Sequence, residues 1–160
     1  MTKSDVRGAI LQKLREELAL QASAAELAHE EATSEESRAR SKYDTHSQEA
    51  AYLAQGQAKL VAEIKDSLHV FETLPLPGPS DDATVTLGAL VELESDGHRA
   101  WYFLGPRSGG LEVAVDGREI LVLTTQSPLG HALVGKRTGE VVQTPGRTNT
   151  TDTHRIVRVE

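Results

Sequence analysis

LPLPGPSDD, from Leu74 to Asp82, holds three prolines and a glycine within the five residues Pro75 to Pro79, and it divides the chain into halves of different composition. Proline fixes φ and removes a backbone donor, so such a run ends any helix and reads as a stiff, exposed linker. On its amino-terminal side, Ser4 to Phe71 contains no proline and two glycines, Gly8 and Gly56, while Ala, Glu, Leu, Gln and Lys predominate. That is a helix composition. On the other side, Ala83 to Glu160 shows β-branched alternation, as in Thr84, Val85, Thr86 and Leu87 or Ile156, Val157, Arg158 and Val159, with glycines at the joints. The expected class is α+β: a helical domain over residues 1–73, a linker over 74–82 and a small β-rich domain over 83–160.

Within the helical half, Leu11, Leu14, Leu18, Gln21, Ala25, Ala28 and Ala32 recur at spacings of three and four, the a/d seam of a coiled coil. A second seam follows in Ala50, Leu53, Gln57, Leu60, Ile64, Ser67 and Phe71. An antiparallel hairpin requires facing positions of constant total, and a total of 78 sets Leu18 against Leu60, Leu14 against Ile64 and Gln21 against Gln57. The paired glutamines then fix the register, since a slip would bury either one without a hydrogen-bond partner. The turn falls near Ala39, and the hairpin is expected to be a rod of about 40 Å. Toward its tip, near residues 34–45, the seam turns to alanine, which lets the helices approach closely. The tip itself mixes the acids Glu35, Glu36 and Asp44 with the cations Arg38, Arg40 and Lys42; by charge alone it is a solvated loop.

Composition removes whole classes of function. The chain has 160 residues, enough for one domain or two small ones. Its 17 basic against 24 acidic side chains give a net charge of -7, the wrong sign for a protein that holds duplex DNA by its phosphates. No apolar run approaches the length of a membrane span, and MTKSDVRGAI has no apolar signal core, so a cytoplasmic protein is expected. The absence of cysteine excludes disulfides, thiolate zinc sites and a cysteine nucleophile. The six histidines are scattered without an i, i+4 pair beside an acid, so no metal helix is indicated; His46, on the seam two residues past Asp44, reads as a plain seam histidine. Trp101, Tyr102 and Phe103 read as core and surface of one strand rather than a prolyl-isomerase pocket. Gly105 to Gly110, GPRSGG, lacks the lysine and helix of a phosphate loop and reads as a hairpin connection.

The β-rich half contains SPLGHALVG, Ser127 to Gly135, with Ser127 placed as N-cap, Pro128 at the first helical position and Gly135 as the stop of a two-turn helix. Leu129 and Leu133, four apart, face the sheet. KRTGEVVQTPG, Lys136 to Gly146, reads as turn, strand and turn, and His154 to Val159 as a closing strand. Ser127, Pro128, Ala132, Leu133, Gly135, Gly139, Glu140, Val141, Thr144 and Pro145 resemble in type and spacing the carboxy-terminal domain of the GreA/GreB transcript cleavage factors. The order of hairpin, linker and sheet domain resembles that family as well.

The resemblance implies an FKBP-like carboxy-terminal domain that binds RNA polymerase at the rim of its secondary channel through Ser127, Pro128 and Leu129. It implies a coiled coil inserted into that channel, so that the protein is a monomeric accessory factor rather than an enzyme, with its tip near the nascent RNA 3′ end. Cleaving members carry an acidic pair three residues apart at the tip, whose place here is taken by Arg40 and Tyr43. Asp44 with Glu35 or Glu36 could substitute, holding a magnesium ion shared with the polymerase, since magnesium prefers carboxylate oxygen; the factor has no cofactor of its own. Arg38, Arg40 and Lys42 oppose that use and favour a regulator that occupies the channel without cleavage. A stand-alone prolyl isomerase is the reading of a different class, and it leaves the long hairpin without a use.

Overall fold

The computed structural model describes residues 1–33, 45–78, 83–146 and 150–160. Two long helices come first, α1 (Lys3–Thr33) and α2 (Thr45–Thr73). Then follow β1 (Leu90–Ser95), β2 (His98–Gly105), β3 (Glu112–Val115), β4 (Arg118–Thr124), the short helix α3 (Pro128–Leu133), β5 (Val141–Pro145) and β6 (Thr151–Val159). The α+β class is as the composition indicates. The chain divides into two compact units inside the long helices: residues 12–69 form one, and residues 1–11 with 70–160 the other.

Helix α1 opens on a capping box. Asp5 Oδ2 accepts from the Thr2 backbone N–H at 2.7 Å, and the Asp5 N–H donates to Thr2 Oγ1 at 3.2 Å, which satisfies two donors at the helix start. The start of α1 lies beside the end of α2: Arg7 Nη1 donates to the Leu74 carbonyl at 3.1 Å, and Lys3 Nζ donates to the Pro77 carbonyl. The helices are therefore antiparallel. Leu74 is buried, so the proline-rich segment is seated on α1 at its beginning rather than hanging free.

The seam of the hairpin unit differs from its expected form on α2. Ala50, Gln57, Ile64 and Ser67 are turned inward as expected, and Ala54, Val61 and Leu68 join them, whereas Leu53 and Leu60 are exposed. Ala54, Val61 and Leu68 fit the alternation of threes and fours as well as Leu53 and Leu60 do, so periodicity does not choose between them. The structure places Ala54 and Val61 inward and leaves the two leucines on the flank. The expected pairing of Leu18 with Leu60 is therefore replaced. Gln57 stays inward, and its Oε1 is buried without a hydrogen-bond partner.

In the second unit the strand order is β3-β4-β2-β1-β6-β5. All neighbours are antiparallel except β2 and β4, which run parallel with Trp101 opposite Ile120. GPRSGG is accordingly not a hairpin connection: the chain leaves β2, passes β4 and lays β3 on the outer edge, where it pairs with β4. A parallel pair requires such a crossover, which glycine spacing alone does not reveal. The sheet is buried on both faces. Val91, Leu93, Leu104, Leu123, Val142 and Ile156 pack with Leu133 of α3, and Phe103 on the other face meets Phe71 of α2 with ring centroids 6.5 Å apart. Val6, Ile10 and Phe71 are fully buried, so both helix ends enter the fold of this unit.

Candidate functional site

Helix α3 is held by its first residue. Ser127 is extended at φ -70 and ψ 149; its Oγ accepts from the Gly130 N–H at 3.1 Å and donates to the Thr124 carbonyl at 2.8 Å. With its proton and an acceptor site both engaged, this hydroxyl positions the helix and is not free to attack or to donate to a ligand. Gly130 is set by close approach, since a Cβ there would sit 2.0 Å from the Thr124 carbonyl oxygen. Leu133 is buried and Leu129 half-buried against the sheet core, as their spacing indicates. Gly135 follows at φ +77, a conformation costly for any residue with a Cβ.

Of the three residues expected to contact a partner, the structure leaves only Pro128 exposed. Ser127 serves the cap and Leu129 the core. Around Pro128 the surface continues with exposed Gln126, His131 and Val134. The result is a rigid shoulder with a proline at its front, able to meet a partner without losing conformational freedom.

The turn after α3 is fixed by charge. Glu140 Oε2 accepts from the Arg137 N–H at 2.6 Å, and Glu140 Oε1 lies 3.2 Å from Lys136 Nζ. The backbone N–H first and then the lysine hold this carboxyl below its usual value. The i, i+4 spacing of Lys136 and Glu140 was the sequence signal for this pair. A second pair without such a signal joins β5 to β6: buried Thr144 Oγ1 lies 3.2 Å from His154 Nε2. Its partners are ten residues apart and meet only through strand pairing.

The aromatic triplet of β2 does not line one cavity. Phe103 is buried against Phe71, while Tyr102 is half-buried on the α3 side, where burial raises its phenol above the usual value. The Arg118 guanidinium lies 5.7 Å from the Trp101 ring centroid, over its face. The pleat thus sets Tyr102 on one face of the sheet and Trp101 with Phe103 on the other.

Every expected tip residue, namely Glu35, Glu36, Arg38, Arg40, Lys42 and Asp44, lies outside the described residues, as does Tyr43. Among the described residues no group of three His, Asp or Glu side chains is placed to hold a metal ion. No described helix is long and apolar enough to cross a membrane.

Over 102 residues the chain is 32% identical to the transcription elongation factor GreA of Thermomicrobium roseum. The alignment covers 62% of this chain and spans 60% of that relative's length. Among solved structures, GreA factor homolog 1 (Gfh1) of Thermus thermophilus is similar over 94% of each chain at 18% identity, with a TM-score of 0.37. The GreA/GreB factor of Nitrosomonas europaea is similar over 70% of this chain and 91% of its own, at 18% identity and a TM-score of 0.39. No protein-family model matches the chain. The chain spans less than two thirds of the length of the Thermomicrobium roseum transcription elongation factor.

Proposed function

We propose that the protein is a cytoplasmic accessory factor of RNA polymerase, of GreA/GreB type, which docks by its sheet domain at the secondary channel and presents the tip of its helical hairpin to the polymerase active site. The observation that carries this reading is the α3 shoulder. Its cap, its glycine contact and its sheet-facing leucines hold Pro128 rigidly at the surface, in the segment that the GreA resemblance makes the docking element. On the same reading the sheet domain is FKBP-like. Phe103 is buried against Phe71 and the Trp101 ring is covered by Arg118, which disfavours a prolyl isomerase that would use these rings.

At the tip, Arg38, Arg40 and Lys42 outnumber what a cation site tolerates, and we read the hairpin as a plug rather than a cleavage stimulator. Cations there oppose the acidic metal-binding groups of a polymerase centre or meet nucleotide phosphates. A specific sequence feature keeps the second reading: Asp44 with Glu35 or Glu36 could supply carboxylate oxygen to a magnesium ion shared with the polymerase, which would orient water for hydrolysis of the RNA 3′ end.

A stalled elongation complex with magnesium separates the two. The plug reading expects slowed nucleotide addition and no shortened RNA, with Arg40→Glu relieving the inhibition and Asp44→Ala leaving it. RNA shortening that survives Arg40→Glu and disappears with Asp44→Ala would establish cleavage instead.

A further inference from the structure

Two cations and a glycine converge on the proline-rich segment. In Leu74, Pro75, Leu76 and Pro77 every residue is either a proline or the residue before one, so all four are confined to extended backbone. Such a strand makes no internal hydrogen bonds, and with three residues per turn its carbonyls three apart point to one side. The carbonyls of Leu74 and Pro77 both receive a donor from α1: Arg7 Nη1 donates to the first at 3.1 Å, and Lys3 Nζ donates to the second. Lys3 and Arg7 stand four apart and share a face of the helix. Both are half-buried, and burial holds the Lys3 ammonium below its usual value although Glu160 acts against the shift.

Gly88 meets the same strand from the sheet side. A Cβ there would come 2.7 Å from the Pro75 carbonyl oxygen, 3.1 Å from Pro77 Cδ and 3.5 Å from Leu76 Cδ2. Gly97 is an internal comparison: its φ of +77 is close to the +83 of Gly88, yet a Cβ on Gly97 would meet nothing within 4 Å. Glycine at 88 is therefore required by the strand as well as by its own backbone conformation. Leu74 is buried, so the segment is held from its first residue to Pro77. Its stiffness before it is seated keeps the entropic cost of seating it small.

We propose that Leu74 to Pro77 is a latch, closed by Lys3, Arg7 and the notch at Gly88, which holds the ends of both long helices on the sheet and opens as one piece when they leave it. The face it secures is that of Phe103, which Phe71 covers. Leu74 directly follows α2, and Arg7 gives its carbonyl the partner that a helix end lacks, which keeps α2 wound to Thr73. Opening releases these contacts together, baring Phe71 and Phe103 and leaving two carbonyls to water. A passive tether would hold nothing. The proposal is independent of the polymerase reading.

Hydrogen exchange on the full-length protein tests it. Lys3→Met with Arg7→Met keeps most of the apolar stems and removes both donors. Exchange should become about tenfold faster or more at the amides of residues 70–73 and at Gly88, whose N–H is bonded to the Leu104 carbonyl at 2.8 Å, while β5 and β6 keep their rates. Lys3→Arg with Arg7→Lys retains both donors and should stay near the unaltered protein. Gly88→Ala should speed the same amides more than Gly97→Ala does, because Gly97→Ala introduces the backbone strain alone. Unchanged exchange at 70–73 and Gly88 in the methionine pair, a rise spread evenly over β5 and β6, or equal effects of Gly88→Ala and Gly97→Ala would overturn the latch.

Discussion

At the scale of single residues, positions with similar sequence signals divide between fold and function by their hydrogen bonds. Ser127 and Pro128 are adjacent, and both were expected to meet a partner; the hydroxyl of Ser127 is consumed by Gly130 and Thr124, while Pro128 has no such duty. Ser127→Ala should cost about 1 kcal/mol of stability through loss of the cap. Pro128→Ala should leave thermal unfolding almost unchanged and weaken polymerase binding in a pull-down titration; unchanged affinity would remove α3 from the docking surface. Carboxyls give a second residue-scale expectation. Asp5 is held below its ordinary 3.8 by Thr2, and Glu140 below its ordinary 4.5 by the Arg137 N–H and Lys136. A depressed folded value means stability that is present above the ordinary value and lost as pH falls through the folded one. Glu140→Gln should therefore lower the melting temperature at neutral pH, and the gap from the unaltered protein should close as pH is taken below about 4. A gap constant over that range would show that the charge of Glu140 contributes nothing.

At the scale of elements, period and composition carry different amounts of information. The helix pair was legible because alanine and leucine at threes and fours extend over many turns, and α3 because serine, proline and glycine each have a positional reason. The face of α2 was not legible. Leu53 and Leu60 fit the period as well as Ala54 and Val61, so the period alone does not decide between them. The crossover from β2 to β3 was hidden for a related reason, since the pairing of β2 with β4 depends on the whole sheet and not on GPRSGG. The corrected seam makes a quantitative expectation. Ile64→Ala, at a buried position, should cost about 2 to 5 kcal/mol, whereas Leu60→Ala should cost well under half of that because its side chain already faces water. Gln57→Leu should stabilise the hairpin, since it removes a buried oxygen without a partner. Thermal melts of the three variants check this together: equal losses at 64 and 60 would restore the seam with Leu60 inside.

At the scale of the whole molecule, the visible break in the sequence and the break in packing do not coincide. Pro75 to Pro79 divides the compositions sharply, yet the compact units part inside α1 and α2, and residues 1–11 and 70–73 belong with the sheet. The reason lies in Phe103: its face of the sheet needs a cover, and Phe71 supplies it from across the linker. Gly105 records the same contact, since a Cβ there would be 3.0 Å from Phe71 Cζ and 2.9 Å from Val122 Cγ1. Tip residues Arg38 to Asp44 lie outside the described residues. A cut in the linker should therefore not release a sound domain. Residues 83–160 alone lose Phe71, Leu74, Val6 and Ile10 and bare Phe103 to water, a loss on the order of several kcal/mol in a domain too small to absorb it easily. The fragment should melt well below the full chain and bind a hydrophobic dye. Phe71→Ala in the full chain should move stability in the same direction by about 3 to 5 kcal/mol. A fragment that unfolds cooperatively at the temperature of the intact protein would show that the helix ends rest on the sheet without supporting it.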